Sequence, residues 1–161
     1  VGVLEDSVVV ARFGDPHPFI LEDGGIGPGW ESQILASFPL PAPLPLVGTT
    51  RWVSQVRCHK LVLPFMRTAF LTLYNAEQWS LLKDFGGCFA WRTQRQAAKL
   101  SRHAWGIAVD LNVVDNPFKA PPRMPPQVVR AFVNQGFAWG GDWLRRKDGM
   151  HFEFTDTERL A

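Results

Sequence analysis

Two short segments in this 161-residue chain alternate with a period of two, and they constrain the fold more than any other feature. In the first, Ile107, Val109 and Leu111 alternate with Ala108, Asp110 and Asn112. In the second, Phe152 and Phe154 alternate with His151 and Glu153. Strands of this kind put their apolar residues on one face and their polar residues on the other. The polar face here would carry Asp110 from one strand and His151 and Glu153 from the other. Gly106, just before the first strand, permits a sharp bend, so His103 need not continue the strand and can turn back toward Asp110.

Elsewhere the pattern is mixed. Apolar spacings of three and four predict a helix over 51–75, kinked or divided at Pro64. A second short helix is expected at 76–84, ended by Gly86 and Gly87. Cys88 to Arg92 reads as a strand. Residues 126–135 read as a helix, with Pro near the start and Gly136 as its stop. A bend-rich stretch follows, and the last residues, DTERLA, begin a terminal helix. The first 50 residues are rich in Pro and Gly, with 23–30 and 39–48 expected as loops or polyproline-like segments. Val8 to Val10 reads as a short strand there, and WESQILASF as a short helix. Helices that precede and interrupt a few short strands predict an α+β fold: a small, mainly antiparallel sheet flanked by helices. One domain is expected over 1–161, with 1–50 as an arm wrapped on a core of 51–161.

Composition removes several function classes. The formal net charge is +2, and the one tight basic run is Arg145, Arg146 and Lys147. Nucleic-acid binding is not expected from so small a cluster. No stretch approaches the roughly 20 apolar residues of a membrane span. No basic-then-apolar signal opens the sequence. Cys58 and Cys88 form no metal-binding pair, and free thiols are expected over a disulfide.

The polar residues on the two strands suggest chemistry. Two imidazoles and one carboxylate (His103, His151 and Asp110) make a three-ligand catalytic zinc site, with the fourth position left for water or substrate. Asp148 stands three residues before His151 with Gly149 between, so it can reach the metal without ligating it and act as general base. There is no HExxH, the helical zinc-protease signature. Taken singly, each residue has a plainer reading: a satisfied polar histidine, a strand-end aspartate, an Asp-Gly turn.

Together, SRHAWGIAVDLN (101–112) and DGMHFEF (148–154) resemble the M15 peptidases. That family groups D-alanyl-D-alanine carboxypeptidases, D-Ala-D-Ala dipeptidases and L-alanyl-D-glutamate endopeptidases of the endolysin type. WRTQ (91–94) is similar to the family's Tyr-Arg-Ser/Thr stretch, with Trp91 in place of Tyr. The resemblance implies that His103, Asp110 and His151 bind Zn2+ and that Asp148 is the general base, where many relatives carry the longer Glu. It implies that Arg92 polarises the substrate carbonyl and stabilises the oxyanion, and that Ser101 hydrogen-bonds substrate, unless it is only a turn cap. Glu153 is either a partner that orients a zinc-bound histidine or a surface carboxylate. Trp105, Trp139 and Trp143 either line a groove or pack in the core.

The expected function is therefore zinc-dependent hydrolysis of an amide bond in the peptidoglycan stem peptide. An L-alanyl-D-glutamate endopeptidase is the leading form and a D-alanyl-D-alanine carboxypeptidase the alternative. A non-catalytic cell-wall binding module is the reading from another class. The expected place of action is the cell wall, on the periplasmic or extracellular side, by a monomer that does not insert into the membrane.

Overall fold

The computed structural model describes residues 2–94 and 99–160. The expected α+β architecture is present: among the described residues, four α-helices pack against two small antiparallel sheets. Helix α1 (Asp6–Phe13) and helix α2 (Pro28–Ile34) come first, followed by a hairpin of β1 (Leu35–Pro45) and β2 (Trp52–His59). Helix α3 (Leu63–Asn75) leads to β3 (Phe85–Gly87) and β4 (Ala108–Leu111). Helix α4 (Pro126–Val133), β5 (Phe137–Trp139) and β6 (His151–Phe154) complete the fold. The four-stranded sheet has the order β3-β4-β6-β5 with every neighbour antiparallel.

Several local expectations fail for identifiable reasons. The stretch expected to be helical from residue 51 is strand β2 up to His59. Val53 and Val56 sit at a helical spacing, yet Val56 and Cys58 are buried while Gln55 and Arg57 between and beside them are exposed, a period of two. The helix proper starts at Leu63, and Pro64 lies in its first turn, where a missing N–H costs nothing. Met66, Ala69, Phe70 and Leu73 form its buried stripe.

The proline-rich segment expected as loop is mostly strand β1. It is tolerated because among the described residues the strand has one hydrogen-bonded neighbour, β2, and the pairing register breaks between Pro39 and Leu44. Phe38, Leu40 and Leu44 still reach the core from it. Val8 to Val10 lie within α1 rather than a strand, with Val9 and Phe13 buried four residues apart. WESQI continues helix α2, but Leu35 onward is extended. The strand expected over Cys88 to Arg92 lies earlier, at β3, and the expected helix over 76–84 is a single 3-10 turn, Trp79–Leu81.

The core forms between the helices and the apolar face of the four-stranded sheet. Ile107, Val109, Leu111, Phe152 and Phe154 are all fully buried on that face. Phe132 of α4 lies 4.9 Å from Phe152, ring to ring, and 5.2 Å from Phe70 of α3, tying both helices to the sheet. With this face committed to the core, the alternate residues of β4 and β6 face the other way, toward the cleft.

Candidate metal centre

The register of β4 against β6 assembles the site. Asp110 pairs with His151, Val109 with Phe152 and Ala108 with Glu153. Directly opposed residues in a ladder share a face, so Asp110 and His151 meet. Asp110 Oδ1 lies 3.1 Å from His151 Nδ1. Ala108, the small residue opposite Glu153, leaves room for that carboxylate.

His103 arrives from outside the sheet. It sits in the 3-10 turn Arg102–Trp105, whose N-cap is Ser101, and the Ser101 hydroxyl accepts a hydrogen bond from the His103 amide at 3.2 Å. Gly106 ends the turn in the left-handed conformation, at φ 69°. An added Cβ there would lie 2.8 Å from Leu35 Cδ2 and 2.9 Å from the His59 amide nitrogen. Only glycine turns the chain from His103 into β4 at this point. His103 Nε2 ends 3.2 Å from Asp110 Oδ1, and the two imidazole rings are 5.1 Å apart.

One ligand atom from each of His103, Asp110 and His151 lies within 4.8 Å of the others, and all three residues are buried. The hydrogen bonds around them favour a metal. His103 Nδ1 donates to the Cys88 carbonyl at 2.6 Å, which leaves the Nε2 lone pair facing the cluster, buried and without a hydrogen-bond partner. His151 Nε2 donates to Glu153 Oε1 at 2.8 Å, leaving Nδ1 turned to Asp110. Each imidazole is thus oriented through its outer nitrogen, as metal-ligating histidines ordinarily are. The unsatisfied Nε2 and the two-nitrogen, one-carboxylate donor set both fit zinc.

Without a metal, the cluster is electrostatically tight. Burial works against the charge on Asp110, but His103 and His151 outweigh it and hold the carboxyl far below the usual carboxylate range. Burial likewise pulls His151 down, yet hydrogen bonds to Asp110 and Glu153 push it up to about 10. The metal-free state is therefore an imidazolium held between two carboxylates.

The site opens on a cleft of about 560 Å3 whose walls include Arg92, Ser101, Asp148 and His151. Arg92 is partly exposed, and its guanidinium is 4.0 Å from Asp110 Oδ2. The Asp148 amide donates to Gly140 O, and its carbonyl accepts from the His151 amide, both at 3.0 Å. These bonds fix Asp148 at the entrance of β6, on the same cleft as His151. Ser101 both caps the His103 turn and lines the cleft. Glu153 is buried and in contact with His151, so it is not a surface carboxylate. Trp143 lines the cleft with its ring 5.4 Å from His151, whereas Trp105 is buried and donates to Gly14 O. Trp139 is half-buried and donates to Gly149 O, bracing the loop before His151.

Several site residues were not anticipated. Arg102 is buried against Glu153 and the N-terminal segment, though its place between Ser101 and His103 gave no sign of burial. Asp84, Asn112 and Asn116 hold the end of β4: Asp84 accepts from the Val113 amide, Asn112 accepts from the Lys83 amide, and Asn116 donates to the Asn112 carbonyl. Asn112 takes a left-handed conformation, at φ 52°. An asparagine directly after an alternating strand was the available signal. Lys99, Arg145 and Arg146 add positive charge to the cleft wall.

A buried His-Asp-His donor set on paired antiparallel strands, with an arginine and a second aspartate on the same cleft, has the makings of a metallopeptidase centre. The family model described as D-alanyl-D-alanine carboxypeptidase matches residues 94–154, and the match supports an M15 family peptidase. The matched span contains His103, Asp110, Asp148 and His151, and begins just after Arg92. Members of the family are typically zinc-dependent and act on peptidoglycan, which places their action outside the cytoplasmic membrane. Among the described residues, no helix is long and apolar enough to cross a membrane.

Proposed function

We propose that this chain is a zinc-dependent endopeptidase of the peptidoglycan stem peptide, cutting between L-alanine and D-glutamate. The observation that carries the reading is the buried His103–Asp110–His151 cluster, with its outward-facing imidazole nitrogens already engaged, opening on a cleft that also holds Arg92 and Asp148.

His103 Nε2, His151 Nδ1 and the Asp110 carboxylate would hold the ion. When bound, zinc supplies Lewis acidity, bringing the pKa of a water toward neutrality and polarising the scissile carbonyl. Asp148 takes the proton of the attacking water and passes it to the leaving amine. Arg92, close to the cluster yet open to the cleft, donates to the carbonyl oxygen as negative charge develops there. Ser101 holds the His103 turn and offers its hydroxyl to the peptide backbone. Glu153 accepts from His151 Nε2 and fixes the ring.

The cleft also suits the substrate. Its cations, Lys99, Arg145 and Arg146, suit the free carboxylate that a D-glutamyl residue carries. Phe118, Trp143 and Leu144 supply apolar wall, and the volume exceeds what two alanines would fill. The description of the matching family favours a second reading, a D-alanyl-D-alanine carboxypeptidase with the same ligands and the same base.

Mass spectrometry of purified muropeptides incubated with the zinc-loaded chain tests the proposal. A new D-glutamyl amino terminus is the expected product. Loss of a single terminal alanine would replace the endopeptidase with the carboxypeptidase. No cleavage by a chain that holds one zinc would leave a cell-wall binding module.

A further inference from the structure

Arg102 lies between Ser101 and His103, only 4% exposed, yet it reaches neither of their side chains. Its NH2 donates to the Leu4 carbonyl at 2.7 Å and to Asp6 Oδ1 at 2.8 Å. Its Nε lies 4.0 Å from Glu153 Oε2, and the guanidinium sits over the Trp105 ring at 5.7 Å. The other carboxylate oxygen of Glu153 is the one that holds His151 Nε2 at 2.8 Å. One line of polar contacts thus runs from the first described residues of the chain, through Arg102 and Glu153, to a ring of the metal cluster. Lys99 reinforces the outer end, with Nζ 3.7 Å from Asp6 Oδ2.

Stability alone does not account for this residue. A buried ion pair is usually no more stabilising than well-packed apolar side chains of the same volume. Here, moreover, the guanidinium NH1 is buried without a hydrogen-bond partner. What an apolar residue would not do is set the carboxylate of Glu153. That carboxylate must point one oxygen at His151 for the ring to present Nδ1 to Asp110, and Arg102 engages the opposite oxygen. The hydrogen bond to His151 and the Arg102 charge 4.0 Å from the other oxygen both favour this orientation of Glu153.

We propose that Arg102 is a positioning residue that couples docking of the N-terminal segment, Leu4 to Asp6, to metal affinity at His151, acting through Glu153. The inference rests on the metal-site reading above. Coupling of this kind is reciprocal: whatever factor the docked segment adds to zinc affinity, zinc adds to docking of the segment.

The test uses the full chain and the variants Glu153→Gln, Arg102→Lys, Arg102→Gln and Asp6→Asn, with Arg102→Gln also made in the Glu153→Gln background. Asp6 is half-exposed, so its variant removes a partner of Arg102 without disturbing the core. Zinc dissociation constants come from competition with a chromophoric chelator, and amide exchange over Val8 to Phe13 is followed with and without zinc. Glu153→Gln is expected to weaken zinc binding on the order of 10- to 100-fold, as loss of such a partner typically does. Asp6→Asn should weaken it by a smaller factor, several-fold. Arg102→Lys should retain more affinity than Arg102→Gln, and Arg102→Gln should add little in the Glu153→Gln background, because both act on one path. Zinc should slow exchange in α1 of the wild-type chain and do so less in Asp6→Asn. On muropeptides, kcat of zinc-saturated Arg102→Lys should fall with KM nearly unchanged.

Folded Asp6→Asn and Arg102→Lys proteins with wild-type zinc affinity and kcat, changed only in Tm, would reduce Arg102 to an anchor for the N-terminus. A wild-type chain that binds no zinc would overturn the metal reading and this coupling together, and the first titration shows it.

Discussion

Asp110 and His151 face each other across the β4–β6 ladder, with Oδ1 and Nδ1 3.1 Å apart. Burial works against a charged His151, but Asp110 and Glu153 outweigh it and push the ring up to about 10, so the metal-free site carries its proton throughout the neutral range. Zinc needs the Nδ1 lone pair that this proton occupies, so binding must release it. Calorimetric titration at pH 7, in buffers of different ionisation enthalpy, should show about one proton released per zinc bound. The sign follows: apparent affinity rises with pH, by up to about tenfold per unit, until the His151 value is reached. An affinity flat between pH 6 and 8 would mean that His151 is neutral before zinc arrives.

Asp148 and the three cluster residues separate chemistry from metal binding. Asp148 lines the cleft and its backbone is fixed by Gly140 and His151, but it is not one of the clustered ligand residues. Asp148→Ala should therefore keep stoichiometric zinc while turnover falls by roughly 100- to 10,000-fold, the range for loss of a general base. His103→Ala should lose both. A non-catalytic wall-binding module would keep its only activity in Asp148→Ala, so a wall-sedimentation assay beside the turnover assay separates the two classes.

The site was more legible in the sequence than the fold around it. Alternation marked β4 and β6, and with them the shared face of Asp110, His151 and Glu153, because a strand's period depends only on local backbone geometry. Gly106 marked the turn that returns His103. The edge strand β1 was hidden by its own prolines, since nothing local says that Phe38 and Leu40 will find β2 as their one partner. Val53, Val56 and Lys60 imitated a helix that tertiary pairing overrode. Arg102 could not be read as buried, because its partners Leu4 and Asp6 are 98 and 96 residues away along the chain.

Cys58 and Cys88 are both buried free thiols, the expected alternative to a disulfide. Burial pushes Cys58 up to about 12 and Cys88 well above the ordinary thiol value. The reactive thiolate is therefore nearly absent at neutral pH. Neither cysteine should react with a thiol-directed chromogenic disulfide in the native protein over the time in which an unfolded sample reacts completely. Cys88 also supplies the carbonyl that orients His103, so labelling would report on the site. Fast reaction of one thiol in the zinc-free chain, suppressed by zinc, would show that the segment around Cys88 opens when the metal leaves.

Gly106 is where the fold and the site depend on the same atom. Its left-handed φ of 69° strains any residue with a side chain, and the space a Cβ needs is already filled by Leu35 and the backbone at His59. That backbone is itself committed, because the His59 amide donates to the Gly106 carbonyl at 2.8 Å. Gly106→Ala must therefore push β2 away or distort the turn, costing about 1–3 kcal/mol of stability from the dihedral alone, with the clash added to it. The distortion falls directly on the His103 turn, so zinc affinity should drop along with the midpoint of thermal unfolding. A remote destabilising change of equal size, such as Leu73→Ala in the buried stripe of α3, should lower Tm and leave the zinc affinity of the folded protein unchanged. If the two variants lose zinc affinity equally, the turn is not what delivers His103 to Asp110, and general loosening of the domain is the better account.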